Sequence, residues 1–210
     1  MWPNSRVTLF RHPAFLTPDE CLFVRQAMDA GTAEAAEVLR RGTHRRPRIR
    51  NASLVEPGQQ VISLIEARIE RCRDLVGASL KRVLGEREGP GFIRYPHGGY
   101  YKPHIDCGDD PHWPDAARRA ASMVIFLNSS GVSRGGDFDG GFLRLLTPDE
   151  AIQVIPEAGL LVAFPSDVLH EVTPVQGGTR DTIVDWFYVG ALATDRSTRA
   201  TPVPRSLRVR

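Results

Sequence analysis

The chain has 210 residues, enough for one domain with a full core or two very small ones. Hydrophobic residues make up 41% and charged residues 25%, ordinary globular values that exclude wholesale disorder. The net charge of +2 is unevenly spread: residues 40–50 (RRGTHRRPRIR) contribute +6, the last twenty residues +4, and the remainder is about −8. Both basic stretches read either as a solvated loop and tail or as an electrostatic collar for an acidic substrate or partner. Neither interleaves aromatics with its arginines, which disfavours nucleic acid.

No run of about 18 apolar residues exists to cross a membrane as a helix. Arg6, Arg11, His12 and Pro13 interrupt the opening where a signal peptide needs an unbroken apolar stretch. Three widely spaced cysteines (Cys21, Cys72, Cys107) fit a reduced, cytoplasmic protein better than a disulfide scaffold.

Thr17-Pro18-Asp19-Glu20 announces the first helix, with Thr17 as cap, Pro18 at the first helical position and Glu20 completing a capping box; Gly31 is its expected stop. Residues 49–55 have some strand character before Pro57-Gly58 turns the chain. From Gln59 to Leu84 apolar residues recur at three- and four-residue steps, predicting a second, long helix lying on an apolar surface. Beyond Gly85, short β-like runs at 91–96, 121–127, 141–146, 152–155, 159–164 and 182–189 are separated by turn residues. Closely spaced strands without intervening helices predict an antiparallel sandwich or barrel.

The richest segment is YPHGGYYKPHIDCGDD, residues 95–110. On an extended chain His104 and Asp106, two apart, project from one face and offer an imidazole nitrogen and a carboxylate oxygen. His170 in FPSDVLHEVTPV is the candidate third ligand. Two histidines and one carboxylate leave an octahedral ion three free positions, the facial triad of non-haem Fe(II) oxygenases. An isolated HxD is common in surface loops, His97 and His112 are rival ligands, and the same set suits zinc in a hydrolase. Arg180, ten residues after His170, opens an apolar strand. If residues 170–174 and 180–188 form neighbouring strands, its guanidinium reaches the metal cavity and can hold a carboxylate through two parallel hydrogen bonds.

These residues resemble the Fe(II)- and 2-oxoglutarate-dependent dioxygenases, and within them the prolyl 4-hydroxylase-like branch. The likeness extends to Tyr95-Pro96, Gly98-Gly99-Tyr100, Ile125 to Asn128, Gly140 to Leu145, and Phe164-Pro165 through His170 and Arg180 to Trp186-Phe187, covering about 92–188. It implies a mainly β fold with flanking helices: a double-stranded β-helix (jelly-roll) core with two N-terminal helices packed on its major sheet. The chain then reads as a single domain over 1–210, with helical support at 1–88, the catalytic core at 89–190 and a basic tail at 191–210. The resemblance implies His104, Asp106 and His170 as iron ligands, and Arg180, Tyr95 and Thr182 as partners of 2-oxoglutarate. It further implies O₂ as cosubstrate, ascorbate as a reductant, and succinate and CO₂ as coproducts of a hydroxylation.

Asp106 favours hydroxylation over halogenation, since the related halogenases lack this carboxylate. Trp186 stands where the nucleic-acid demethylases carry a second arginine, which lowers that option. Arg94, Tyr101, Trp113, Arg118 and Trp186 are candidate substrate contacts, with Trp186 reading more readily as core and Arg118 having the alternative of a surface residue. A prolyl residue in a protein or peptide leads as substrate. A free amino acid or small metabolite is the alternative, and a metal- and 2-oxoglutarate-binding sensor is the non-enzymatic one.

Overall fold

The computed structural model describes residues 7–36, 49–109, 111 and 113–191. Most of the arginine run, His112 and the basic tail beyond residue 191 therefore lie outside the described residues.

Strand β1 (Phe10–His12) leads into helix α1 (Pro18–Ala30), whose capping box between Thr17 and Glu20 forms as the sequence predicts. Gly31 ends it for a steric reason: an added Cβ would stand 2.3 Å from the Glu56 carbonyl oxygen. Short strands β2 (Thr32–Ala35), β3 (Arg50–Asn51) and β4 (Ser53–Glu56) follow. The expected long helix is two, α2 (Gln59–Glu70) and α3 (Arg73–Leu80), broken at Arg71 and Cys72. The apolar stripe runs across the break because both helices lie on the same sheet, so periodicity alone does not reveal it. Lys81 adopts a left-handed conformation (φ 54°) and turns the chain into β5 (Leu84–Arg87), whose first residue the sequence pattern places in the helix.

The remaining strands are β6 (Gly91–Tyr95), β7 (Tyr100–His104), β8 (Arg119–Phe126), β9 (Asp139–Gly140), β10 (Leu143–Leu146) and β11 (Ala151–Val154). They continue with β12 (Leu161–Pro165), β13 (His170–Val172), β14 (Val175–Gly177) and β15 (Arg180–Val189). Among the described residues, one eight-stranded sheet runs β1-β12-β8-β15-β6-β4-β2, with β5 also on β15. A second, five-stranded sheet runs β11-β10-β13-β7-β3, and every pairing in both sheets is antiparallel.

The core has two main parts. Between the helices and the large sheet lie Val24, Met28, Ile65, Ile69 and Val76 against Met123, Ile125, Ile183 and Phe187, all at most 1% exposed. Between the sheets, Val124, Phe126, Val162 and Phe164 meet Leu143, Leu145 and Val154. The alternation of a strand directs successive side chains to these two cores. The result is the expected mainly β jelly roll, with the helices backing the larger sheet.

Candidate active site

His104 ends β7 and His170 begins β13, in register on neighbouring strands of the smaller sheet, with ring centroids 4.1 Å apart. Asp106 follows in a loop pinned by the Ser166 carbonyl oxygen, which accepts from the Asp106 and Cys107 amides at 3.0 and 3.1 Å. The ligand atoms of His104, Asp106 and His170 lie within 4.8 Å of one another. His104 Nδ1 is 2.8 Å from the Lys102 carbonyl oxygen, and His170 Nδ1 is 2.9 Å from that of Val168. With each Nδ1–H donating to its carbonyl, each Nε2 turns a lone pair toward Asp106.

Burial pushes the His170 imidazole down to about 4, only partly opposed by Asp106. Burial also works against the Asp106 carboxylate, but His170, His104 and a hydrogen bond from Ser122 together hold it well below the usual carboxylate range. A neutral imidazole and an ionised carboxylate are the forms that bind a metal. Two nitrogens and one oxygen converging from one side match the donor set of a ferrous ion with open positions.

Arg180 reaches the same cavity by a route different from the one expected. His170 and Arg180 do not lie on neighbouring strands: β13 belongs to the smaller sheet, whereas β15 lies between β6 and β8 in the larger one. The turn at Gly178 (φ 72°) carries the chain between the sheets, so Arg180 faces the triad from the opposite wall. It is 1% exposed, its guanidinium lies 4.8 Å from the Tyr95 ring and 5.2 Å from the Phe126 ring, and among the described residues its Nε and Nη1 have no hydrogen-bond partner. Burial pushes it down to about 10, with Tyr95 partly opposing. A buried cation with donors unspent is a seat for an anion, and a planar fork suits a carboxylate. The residues present thus fit both a ferrous ion and a small dicarboxylate.

A cavity of about 580 Å³ joins these groups, lined by Tyr95, Tyr101, His104, Asp106, His170 and Arg180 among others. Tyr101 stacks on His104 with centroids 3.5 Å apart, and the Arg50 guanidinium lies 4.7 Å from the Tyr101 ring. Trp113 and Thr182 also line the cavity. The Thr182 hydroxyl donates to the Ile125 carbonyl oxygen at 2.8 Å, so its proton is already committed.

Arg94 stands on the opposite face of β6 from Tyr95, donating to Asp181 at 2.7 and 3.0 Å and to Asp29 at 2.7 Å. The expected pocket residue is an ion-pair residue beneath α1. Arg118 is exposed, pairs with Asp115 at 2.9 Å and packs against Tyr188, away from the cavity. His97 is exposed and outside the triad, and the rival His112 lies outside the described residues. Trp186 does line the cavity, and its indole N–H donates to Asp106 Oδ2 at 2.9 Å. Ser122, Ser166 and Glu88 were not anticipated; a serine inside the apolar run at 121–127 is the signal that was available.

The family model of the 2OG-Fe(II) oxygenase superfamily matches residues 90–188. A PKHD-type hydroxylase of Nitrobacter winogradskyi is 31% identical over 193 residues, spanning 88% of this chain and 79% of that protein. Among solved structures, a prolyl-4-hydroxylase of Pseudomonas putida superposes with a TM-score of 0.68 at 27% identity, covering 88% of this chain and 94% of that one. A Trichoplax adhaerens prolyl hydroxylase, solved with a peptide fragment of the hypoxia-inducible factor oxygen degradation domain, gives 0.67 at 23% identity, covering 86% and 83%, and shares the fold. The chain belongs to the 2OG-Fe(II) oxygenase superfamily, in its prolyl 4-hydroxylase-like branch. Enzymes of this family need Fe(II), 2-oxoglutarate and O₂.

Proposed function

We propose that this oxygenase hydroxylates an unactivated C–H bond of a prolyl residue in a protein or peptide, with succinate and CO₂ as coproducts. The observation that carries the reading is the buried Arg180, its Nε and Nη1 unspent among the described residues, across one cavity from His104, Asp106 and His170. In this reading the two imidazole Nε2 atoms and the Asp106 carboxylate hold Fe(II). Arg180, beside Tyr95, binds the distal carboxylate of 2-oxoglutarate. The bound metal and cosubstrate supply the oxidising chemistry. The protein binds and orients: the Lys102 and Val168 carbonyls fix the imidazole tautomers, Arg180 sets the reach of the cosubstrate, and Phe126, Phe164 and Val172 keep water away.

Similarity to named prolyl hydroxylases supports a peptidyl substrate, as does a cavity whose lining includes Trp113 and the exposed Glu34, Leu54 and Glu56. The acidic substrate suggested by the arginine runs draws no support from that described part of the rim. Anaerobic addition of Fe(II) and then 2-oxoglutarate should give the visible charge-transfer band of a metal chelate. Succinate release in air should then rise with a prolyl-containing peptide. No band from folded, metal-loaded protein would refute the cosubstrate site; a rise with free amino acids alone would refute the peptide.

A further inference from the structure

Among the described residues, the Ser122 and Trp186 hydrogen bonds to the Asp106 carboxylate fall on one oxygen. Ser122 Oγ donates to Oδ2 at 2.6 Å, and Trp186 Nε1 donates to the same atom at 2.9 Å. The other oxygen, Oδ1, takes neither bond and faces His104 Nε2 at 3.5 Å, while Oδ2 lies 3.6 Å from His170 Nε2. A carboxylate oxygen offers about two lone-pair sites, so two donors fill Oδ2.

The indole is itself held. The Arg119 guanidinium lies 3.9 Å from the Trp186 ring centroid. It pairs with both carboxylate oxygens of Glu88 through Nε and Nη2, the Nε bond at 2.6 Å, and its Nη1 donates to the Asp106 carbonyl oxygen at 3.1 Å. Arg119 is 6% exposed, so this is a buried clamp and not a surface pair. It ties the ring to the backbone of the residue whose carboxylate the ring holds. Ser122, 1% exposed, lies 3.0 Å from the Ser166 hydroxyl, and Ser166 also carries the carbonyl that pins the Asp106 loop.

We infer that Trp186, clamped by Arg119, is a positioning residue: with Ser122 it occupies Asp106 Oδ2 and leaves Oδ1 as the one oxygen offered to the metal. The inference rests on the proposed Fe(II) and 2-oxoglutarate site. Three protein ligand atoms leave an octahedral ion three positions, of which a chelating 2-oxoacid takes two. A carboxylate free to offer both oxygens would take one of those three. The indole N–H thus protects the open side of the metal without touching it, and Trp186 serves the site from the strand that carries Arg180.

The test compares wild type with Trp186→Phe, which keeps a ring for Arg119 and loses the N–H, and with Ser122→Ala, which removes the second donor at little change in volume. Anaerobic Co(II) is the first probe, read by its visible ligand-field spectrum and binding constant, and 2-oxoglutarate is added second. Both variants should bind Co(II) within a few-fold of wild type, show an altered ligand-field spectrum, and bind 2-oxoglutarate about tenfold more weakly, in line with the effect of removing an outer-shell partner. A purely structural Trp186 would lower thermal stability and leave spectrum and affinity unchanged. That result in either folded variant would overturn the inference. Wild-type protein that takes up neither Co(II) nor 2-oxoglutarate would overturn it together with the site it rests on, before any variant is compared.

Discussion

Replacing Arg180 with methionine separates folding from binding, because the residue opposes the first and serves the second. At 1% exposure, burial pushes its pKa down from the ordinary arginine value to about 10, a shift equivalent to roughly 3 kcal/mol of disfavoured charge. The lowered pKa of about 10 still lies well above neutrality, so Arg180 stays charged in the folded protein and this penalty is present in full across the working pH range. Some of the gain on removing the charge is offset by lost contact with the Tyr95 and Phe126 rings. Arg180→Met should therefore stabilise the ligand-free protein by about 2 kcal/mol, raising Tm by roughly 6 °C at about 3 °C per kcal/mol. In metal-loaded wild type, 2-oxoglutarate at about 100 times its Kd should add about 2.7 kcal/mol, or roughly 8 °C. Losing a charge-assisted pair worth about 3 kcal/mol weakens binding about 150-fold, so the same ligand concentration should add only about 1 °C to the variant. Thermal melts of both proteins with and without 2-oxoglutarate read all four values. A ligand-free variant that melts below wild type, or one that 2-oxoglutarate stabilises as strongly, would refute the reasoning.

His104→Ala and Asp106→Ala should each abolish Co(II) uptake at concentrations that saturate wild type, measured by metal analysis after gel filtration; retained stoichiometric binding would remove that residue from the ligand set. Arg94→Ala should lower stability by about 2 kcal/mol in a denaturant titration, since among the described residues it leaves the buried Asp181 carboxylate only Arg25 at 3.5 Å. Its succinate kinetics should stay within about twofold of wild type by the same positional logic, and a large rise in peptide KM would return Arg94 to the substrate site. Under native conditions a thiol reagent should label Cys107 alone at neutral pH: Cys21 and Cys72 are 3% exposed, and burial pushes their thiols up to about 11. Labelling of either before unfolding, seen by peptide mass mapping, would show that the helix layer opens.

His104 and Asp106 were legible because their spacing is local, although the strand ends at His104 and Asp106 lies in the loop beyond it, whereas His170 comes from a distant strand. The large sheet was legible where its strands are apolar runs, at β8, β12 and β15. The short edge strands were not. In β2, TAEA, all four residues are exposed, and the segment is a strand only because β4 pairs with it. Strand β7 contains Pro103, which argues against a central strand. The facing-sheet position of Arg180 also escaped, since ten residues of spacing cannot tell an adjacent strand from an opposing wall. Arg94 was avoidable: it alternates with Tyr95, so one of the two had to face away from the cavity. Trp186 was readable only as ring surface, since its use of one N–H depends on a loop folding eighty residues upstream.

Strand β15 gathers these separate observations. Its odd-numbered side chains, Asp181, Ile183, Asp185 and Phe187, face the helices, and its even-numbered ones, Arg180, Thr182, Val184 and Trp186, face the cavity. On the helix side each buried acid finds partners within the chain. Asp181 accepts from Arg94 and Arg25, and Asp185 accepts from Arg87 and from the Gly89 and Trp186 amides. On the cavity side Trp186 spends its N–H on Asp106, and Thr182 spends its hydroxyl on Ile125. Arg180 stands apart, as deeply buried as those acids yet with two nitrogens unspent among the described residues. The fold supplies partners for both acids of this strand and leaves two nitrogens of its arginine unspent among the described residues, which is the arrangement the proposed 2-oxoglutarate site requires. On the proposed function, the cavity before it, with the triad on the far wall, sets which anion fits: one short enough to lie between a guanidinium and a metal, and charged at the end that Arg180 would receive.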